Sequence, residues 1–294
     1  MNASESERPD PLELLYEDVP RAADLPDDLA RLYGGALGLD HDSRAAGVSG
    51  RLFANFVATV DGAVALTDVP RSNEVICGGS VADRFVMGLL RARADAVLIG
   101  ADTMNHSPDD SWAADRVYPA AASSWAAYRA GRGQPPEPVL VLLTRTGRLA
   151  VDHPALQRPS VVLTTPEGAS RLRHRLPGTA ALEVPGDRLD PAAAVSALRH
   201  LGYSDILTEA GPRLFGLLLA AGQVDDLFLT TAPQFAGRSE PNVYRLIESV
   251  TLLPDNPIRA NLASIRRAGS HLFTRYTFGS ASFGCCPSSP GSDT

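Results

Sequence analysis

Glu209 stands between the apolar run DILT and the turn AGP, where a buried strand would open into a helix. A carboxylate there can accept hydrogen bonds from a polar heterocycle or a sugar while the amides that follow contact a cofactor phosphate; equally, it can do no more than favour a helix N-terminus by its charge. Asp61, Ser72 and Arg91 add an acceptor, a hydroxyl and a fixed cation, which act together only if their loops converge. The planar donor fork of Arg91 suits a phosphate clamp, and nearby Asp95 offers it a surface ion pair instead. Gly78-Gly79, Gly100 and Gly211 mark junctions where the backbone can approach a ligand closely or take positive φ. Each can also be an ordinary turn.

Other chemistries lack their signatures. No GxGxxG run is present, which disfavours a Rossmann fold. His41, His106, His153, His174, His200 and His271 are scattered without HExxH, and Cys77, Cys285 and Cys286 form no CxxC, so no metal centre is expected. Ser72 and Ser80 lie outside any GxSxG elbow, which ranks hydrolase chemistry lower. Asp225 and Asp226 could bind a cation, but they suit the start of a strand with one side chain at the sheet edge and the other in solvent. Trp112 and Trp125 read as packing anchors rather than a lid. With 294 residues, 44% of them hydrophobic, the chain has material for a sizeable core. Its 27 basic and 34 acidic residues give a formal charge of −7, which supports neither general nucleic-acid binding nor attraction to an anionic membrane. The polar opening MNASESERPDP, the lack of a bilayer-length apolar run and the cysteine usage lead us to expect a soluble cytoplasmic protein.

The elements that would position these residues follow an α/β rhythm. RLFANFVAT reads as a buried strand before the Asp61-Gly62 turn. Residues 80–93 space Val81, Phe85, Leu89 and Ala92 as a helix capped by Ser80, with Arg84, Arg91 and Arg93 on its wetter side. DAVLIG, PVLVLLT and SVVLTT read as sheet-core strands, and Ala192–Leu201 as a short helix. Then come a strand in SDILTEAG, a helix in PRLFGLLLAAG that would present Leu214, Leu217 and Leu218 to the sheet before ending at Gly222, and strands in VDDLFLTTAP and HLFTRYTF. We expect a loose arm over residues 1–50, with a short helix near 27–37, that packs onto a core rather than forming one, then one domain over 51–280 with a partly helical excursion at about 105–138, and a flexible tail at 281–294.

The ordered set FVATVDGAVA, SNEVICGG, LLRARADAVLIGADTM and ILTEAGPRLFGLLLAAGQVDDLFLTTAPQFAG resembles the reductase domain of bacterial bifunctional riboflavin-biosynthesis proteins, within the dihydrofolate-reductase-like superfamily. The resemblance implies a three-layer α/β fold with a mostly parallel central sheet and an antiparallel C-terminal edge. It implies NADPH as cofactor and reduction of the ribosyl group of 5-amino-6-(5-phosphoribosylamino)uracil to ribityl, in a homodimer. It places Asp61, Ser72, Arg91 and Glu209 at the substrate, and Thr103, Thr144, Gly211, Pro212, Arg213, Leu214, Phe215 and Gly216 at the cofactor, and it requires no side-chain nucleophile. The sequence departs from the family pattern at Glu209-Ala210-Gly211-Pro212, where Glu-Gly-Gly-Pro is commoner, and at Asn105-His106-Ser107-Pro108, in a region that ordinarily helps recognise the phosphorylated substrate. The companion deaminase motifs are absent, so a stand-alone reductase is expected. Dihydrofolate or another pteridine is an alternative substrate, and a noncatalytic nucleotide-binding or interaction protein the alternative of another class.

Overall fold

Short apolar runs separated by turn residues become strands here, and the longer 3.6-periodic runs become the helices that cover them. The structure, a computed structural model, describes residues 9–40, 50–67, 69, 71–237 and 243–279; His41, Cys285, Cys286 and the expected tail lie outside them. The strands are β1 (Glu13–Glu17), β2 (Leu52–Thr59), β3 (Ala63–Leu66), β4 (Ala96–Gly100), β5 (Val139–Thr144), β6 (Ser160–Thr164), β7 (Ala180–Glu183), β8 (Ile206–Thr208), β9 (Asp226–Ala232), β10 (Val243–Arg245), β11 (Asn261–Ala268) and β12 (His271–Thr277). The helices are α1 (Asp27–Tyr33), α2 (Ser72–Ile76), α3 (Val81–Arg93), α4 (Ala101–Asn105), α5 (Ala114–Val117), α6 (Ala122–Gly131), α7 (Pro166–Leu172), α8 (Pro191–His200) and α9 (Pro212–Ala220).

Ten strands form one sheet in the order β1-β11-β12-β9-β2-β8-β4-β5-β6-β7, and β3 pairs with β10 in a separate ribbon. From β9 through β7 every neighbouring pair is parallel, whereas β12, β11 and β1 extend the sheet antiparallel. This is the expected mostly parallel sheet with an antiparallel edge. Strand alternation divides the core between two faces. Val97 and Ile99 of β4 pack with α1, α3 and the tryptophans of the excursion, while Ala96 and Leu98 pack with α8 and α9 on the other side. Trp112 and Trp125 are buried, as packing anchors should be.

Three readings need correction. The N-terminal segment contributes an edge strand as well as a helix, and Leu12, Leu29, Tyr33, Leu37 and Leu39 are buried in the main core. Its helix ends at Tyr33 because Gly34 takes the left-handed cap at φ 78°. Arg91 and Arg93 face the interior, not water, because carboxylates from other elements meet them: Glu209 and Asp110 for Arg91, Asp205 and Asp40 for Arg93. Leu217 is 45% exposed; the stripe of α9 facing the sheet is Phe215, Leu218 and Leu219, an i, i+3, i+4 set. At the start of β9 the structural reading of the acidic pair holds with a different placement. Asp226 is fully buried between Arg51 and Arg275, and Asp225 accepts the Leu52 amide.

Candidate active site

The site is assembled where β4 and β8, parallel neighbours in mid-sheet, end together. The Glu209 amide bonds to the Leu98 carbonyl at 3.2 Å, carrying the pairing one residue beyond β8, and the Thr208 hydroxyl donates to the same oxygen. The carboxylate of Glu209 thereby projects from the C-terminal edge of the sheet towards α3. Arg91 Nε lies 3.0 Å from its Oε1, and Arg91 Nη2 lies 2.7 Å from its Oε2, a two-point clamp. Asp110, from the excursion, takes the outer side of the same guanidinium at 3.4–3.5 Å, and the Ala113 carbonyl accepts a further bond.

Burial works against the charge on Arg91, but Glu209 and Asp110 outweigh it and raise the guanidinium pKa further. Burial likewise pushes the Asp110 carboxyl up, and Arg91 with the Trp112 amide brings it below the ordinary range. The predicted Arg91–Asp95 surface pair does not form: Asp95 instead accepts from Gln134 and from the Ser204 and Asp205 amides. Two turns N-terminal on the same side of α3 sits Asp83, only 5% exposed. Desolvation lifts its carboxyl to about 6, with Glu209 adding to the rise and the Thr230 hydroxyl and His271 opposing it.

The residues expected at a cofactor divide into two groups. A Cβ built on Gly211 would lie 3.8 Å from Thr103 Oγ1, and one on Gly100 would lie 3.9 Å from Leu214 Cδ2, so the starts of α4 and α9 meet over the ends of β4 and β8. Gly211 caps α9 without a side-chain hydrogen bond and Pro212 occupies its first turn, leaving backbone amides there as the natural donors for anionic oxygens. Arg213 stacks on Tyr244 and donates to its hydroxyl at 3.0 Å. Phe215, by contrast, is fully buried against Phe56, with ring centroids 4.8 Å apart. Gly216 faces the 247–250 segment, where an added Cβ would come within 3.0 Å of the Glu248 carbonyl oxygen. Phe215 and Gly216 both pack against protein. Thr144 is buried at the C-terminal end of β5, paired with Thr164. The extra methyl of Ala210 is accommodated in the interior, at 1% exposure.

Asp61 follows β2 and Ser72 opens α2 after β3. The Asp61 carboxylate is exposed and accepts from the Thr59 hydroxyl and the Ala236 and Gly237 amides, bonds that hold its pKa at about 2. It borders a cavity of about 430 Å³ shared with Arg245, Ile247 and Glu248. Ser72 begins α2 directly after Arg71, which pairs with Asp109 at 2.9 Å. Arg71, Asp109, Asp110, Arg91 and Glu209 therefore form a continuous chain of charged groups, into which Asp61 does not enter. Sequence reasoning missed Asp83 and Asp110. The first is separated from Arg91 by eight positions, two helical turns, and that spacing was the available signal; Asp110 lies in the non-periodic excursion and carries none.

Among the described residues no group of three or more His, Cys, Asp and Glu side chains could hold a metal ion, and no helix is long and apolar enough to cross a membrane. The family model for the RibD C-terminal domain matches residues 51–273. No curated protein matches the chain in sequence. In fold the chain is similar to a pyrimidine reductase-like protein of Corynebacterium diphtheriae, with a TM-score of 0.61 and 23% identity over 78% of this chain and 92% of that one. It is also similar to RibD of Acinetobacter baumannii, at a TM-score of 0.59 and 17% identity over 81% of this chain and 60% of that one. The riboflavin biosynthesis reductase of Saccharomyces cerevisiae gives a TM-score of 0.52 and 13% identity, covering 79% and 90%. The chain thus spans about 60% of the length of the A. baumannii protein. At these identities the likeness bears on the fold, which is the dihydrofolate-reductase-like three-layer arrangement.

Proposed function

The chain belongs to the RibD C-terminal domain family, and from that membership we propose that it is an NADPH-dependent reductase of a ribosylamino-pyrimidine of the 5-amino-6-(5-phosphoribosylamino)uracil type. The observation that carries the reading is Glu209, clamped at two points by a buried arginine at the end of β8 and two residues before the cap of α9. In this account the first-turn amides of α9, with Thr103 beside Gly211, hold the cofactor diphosphate, an arrangement that fits because the turn carries no side-chain cap and Gly211 leaves the approach open. Thr144, Arg213, Pro212 and Leu214 would line the rest of the cofactor. When bound, the reduced nicotinamide supplies the hydride that converts the ring-opened ribosyl group to ribityl.

Glu209 orients the base. Arg91 occupies one lone pair on each of its oxygens, and the remaining lone pairs accept from a ring N–H and an adjacent amino group. Arg91 is thus a positioning residue for Glu209, with its guanidinium nitrogens engaged rather than held ready for a phosphate. Ser72 and Asp61 complete the substrate side, Asp61 by fixing the β2–β3 turn against residues 236–237. No side chain is required as a nucleophile. The protein works in the cytoplasm as a homodimer whose reductase domain spans residues 51–280, with the N-terminal segment packed onto it through β1 and α1.

The same carboxylate geometry suits any flat heterocycle that presents an N–H beside an amino group, so a pteridine such as dihydrofolate is the second reading. Parallel assays of NADPH oxidation with the ribosylaminouracil and with dihydrofolate separate the two. We expect turnover of the pyrimidine; turnover of dihydrofolate alone would replace that substrate, and NADPH binding without either activity would favour a noncatalytic role.

A further inference from the structure

We propose that His153 is a positioning residue for the substrate side of the cleft, because it holds the turn that carries Asp110 onto Arg91. Its effect on substrate rests on the reading of Glu209 as the residue that orients the base. His153 is only 5% exposed, and both of its ring nitrogens are engaged. The Ala155 amide donates to Nδ1 at 3.1 Å, which caps the single 3-10 turn at Pro154–Gln157. Nδ1 must therefore present a lone pair, so the neutral ring carries its proton on Nε2, which donates to the Ser107 carbonyl at 2.9 Å. The same oxygen accepts the Asp110 amide at 3.1 Å and closes a four-residue turn over 107–110. One carbonyl thus ties a buried imidazole to the backbone of the residue that pairs with the outer side of Arg91.

The turn belongs to no helix or strand, so side-chain bonds to the segment after β5 set its place. Asn105 Oδ1 accepts the Ala150 amide at 3.0 Å, His153 holds Ser107, and Arg158 donates to the Ser111 carbonyl. Of these three side chains only His153 belongs to a buried residue. Its ring also packs on Trp112, with centroids 5.8 Å apart. Trp112 holds left-handed backbone at φ 52°, a conformation that non-glycine residues keep only where their surroundings impose it, and from there its amide donates to Asp110 Oδ1 at 2.8 Å. The amide of Asp110, through Ser107, and its carboxylate, through Trp112, both trace back to one imidazole. Without the Nε2 bond the turn loosens, and the guanidinium that aims Glu209 loses its outer partner.

Two substitutions separate this role from the capping of the 3-10 turn. His153→Asn keeps an acceptor at the place of Nδ1 and loses the donor at Nε2, whereas His153→Gln does the reverse. In hydrogen-exchange mass spectrometry of the full chain, peptides covering 107–112 should exchange about fivefold faster in H153N, with the urea midpoint unchanged. With NADPH and 5-amino-6-(5-phosphoribosylamino)uracil, H153N should raise KM about fivefold and leave kcat within about twofold. H153Q should keep the original KM while its urea midpoint falls. Unchanged exchange or an unchanged KM in H153N overturns the inference, as does a rise in KM that is equal in the two variants. Should H153N fail to fold, a raised KM in folded H153Q overturns it alone. If the unsubstituted protein does not reduce the pyrimidine, the proposed function falls, and the exchange comparison then decides whether His153 holds the turn.

Discussion

Glu209 and Arg91 divide one task between them: the carboxylate meets the ligand, and the guanidinium keeps the carboxylate aimed. Glu209→Gln retains the volume but removes the charge and one of the paired acceptors, so kcat/KM should fall by about a hundredfold, roughly 3 kcal/mol, with the circular dichroism spectrum unchanged. Unaltered kinetics would remove Glu209 from the site. Arg91→Met acts on stability instead, leaving Glu209 and Asp110 without their cation at a cost of roughly 3 kcal/mol in denaturant unfolding. Asp83 contributes with the opposite sign. Its folded pKa, raised to about 6, exceeds that of an unfolded aspartate, so the native state holds the extra proton and stability falls as pH rises from about 4 to about 6. Asp83→Asn should flatten that slope and be the more stable protein at neutral pH, by up to about 3 kcal/mol. Equal slopes in urea titrations of the two proteins across this window would contradict the assignment. Of these residues the sequence marked Glu209 and Arg91 by type and place; what it could not show was that they bind each other, since 118 positions separate them.

At the scale of elements, α9 shows both what is legible and what is not. The helix itself follows from Pro212 at its start, Gly222 beyond its end and the apolar run at 214–221. That same run made its inward face ambiguous, because four of the seven residues from Leu214 to Ala220 are leucines and only the sheet decides that Leu217 is the exposed one. The glycines are separable by the same reasoning. Gly216→Ala would press its methyl group on the Glu248 carbonyl, in a segment tied down by the bond from the Glu248 amide to the Pro212 carbonyl. We expect a loss of about 1 kcal/mol in stability with little change in NADPH affinity measured by fluorescence titration. A large loss of affinity in a protein of undiminished stability would return Gly216 to the cofactor site. The short strands β1, β3, β7 and β10 escaped the sequence reading because five or fewer residues at a sheet margin carry too little alternation to register.

For the molecule as a whole, the N-terminal segment is bound into the fold by specific contacts. The Asp24 carboxylate accepts the amides of Leu37, Gly38 and Leu39 at 2.7–3.1 Å, and Arg266 and Arg275 donate to the carbonyls of Ala36 and Leu37. Prolines and acidic residues conceal this in the sequence, since a carboxylate that gathers backbone amides looks the same as one in a loop. Removal of residues 1–40 should therefore expose one face of the main core and lower the melting temperature by about 10 °C or more; an unchanged transition would mean that the arm is dispensable. The role of Glu209 in this reduction is tested most directly by a single-turnover reaction in which NADPH-loaded protein is mixed with 5-amino-6-(5-phosphoribosylamino)uracil and the reduced-nicotinamide absorbance is followed. The absorbance should decay in step with formation of the ribitylamino product, and the decay should slow sharply in Glu209→Gln. A loaded protein whose absorbance stays constant, or whose decay is indifferent to that substitution, would contradict it.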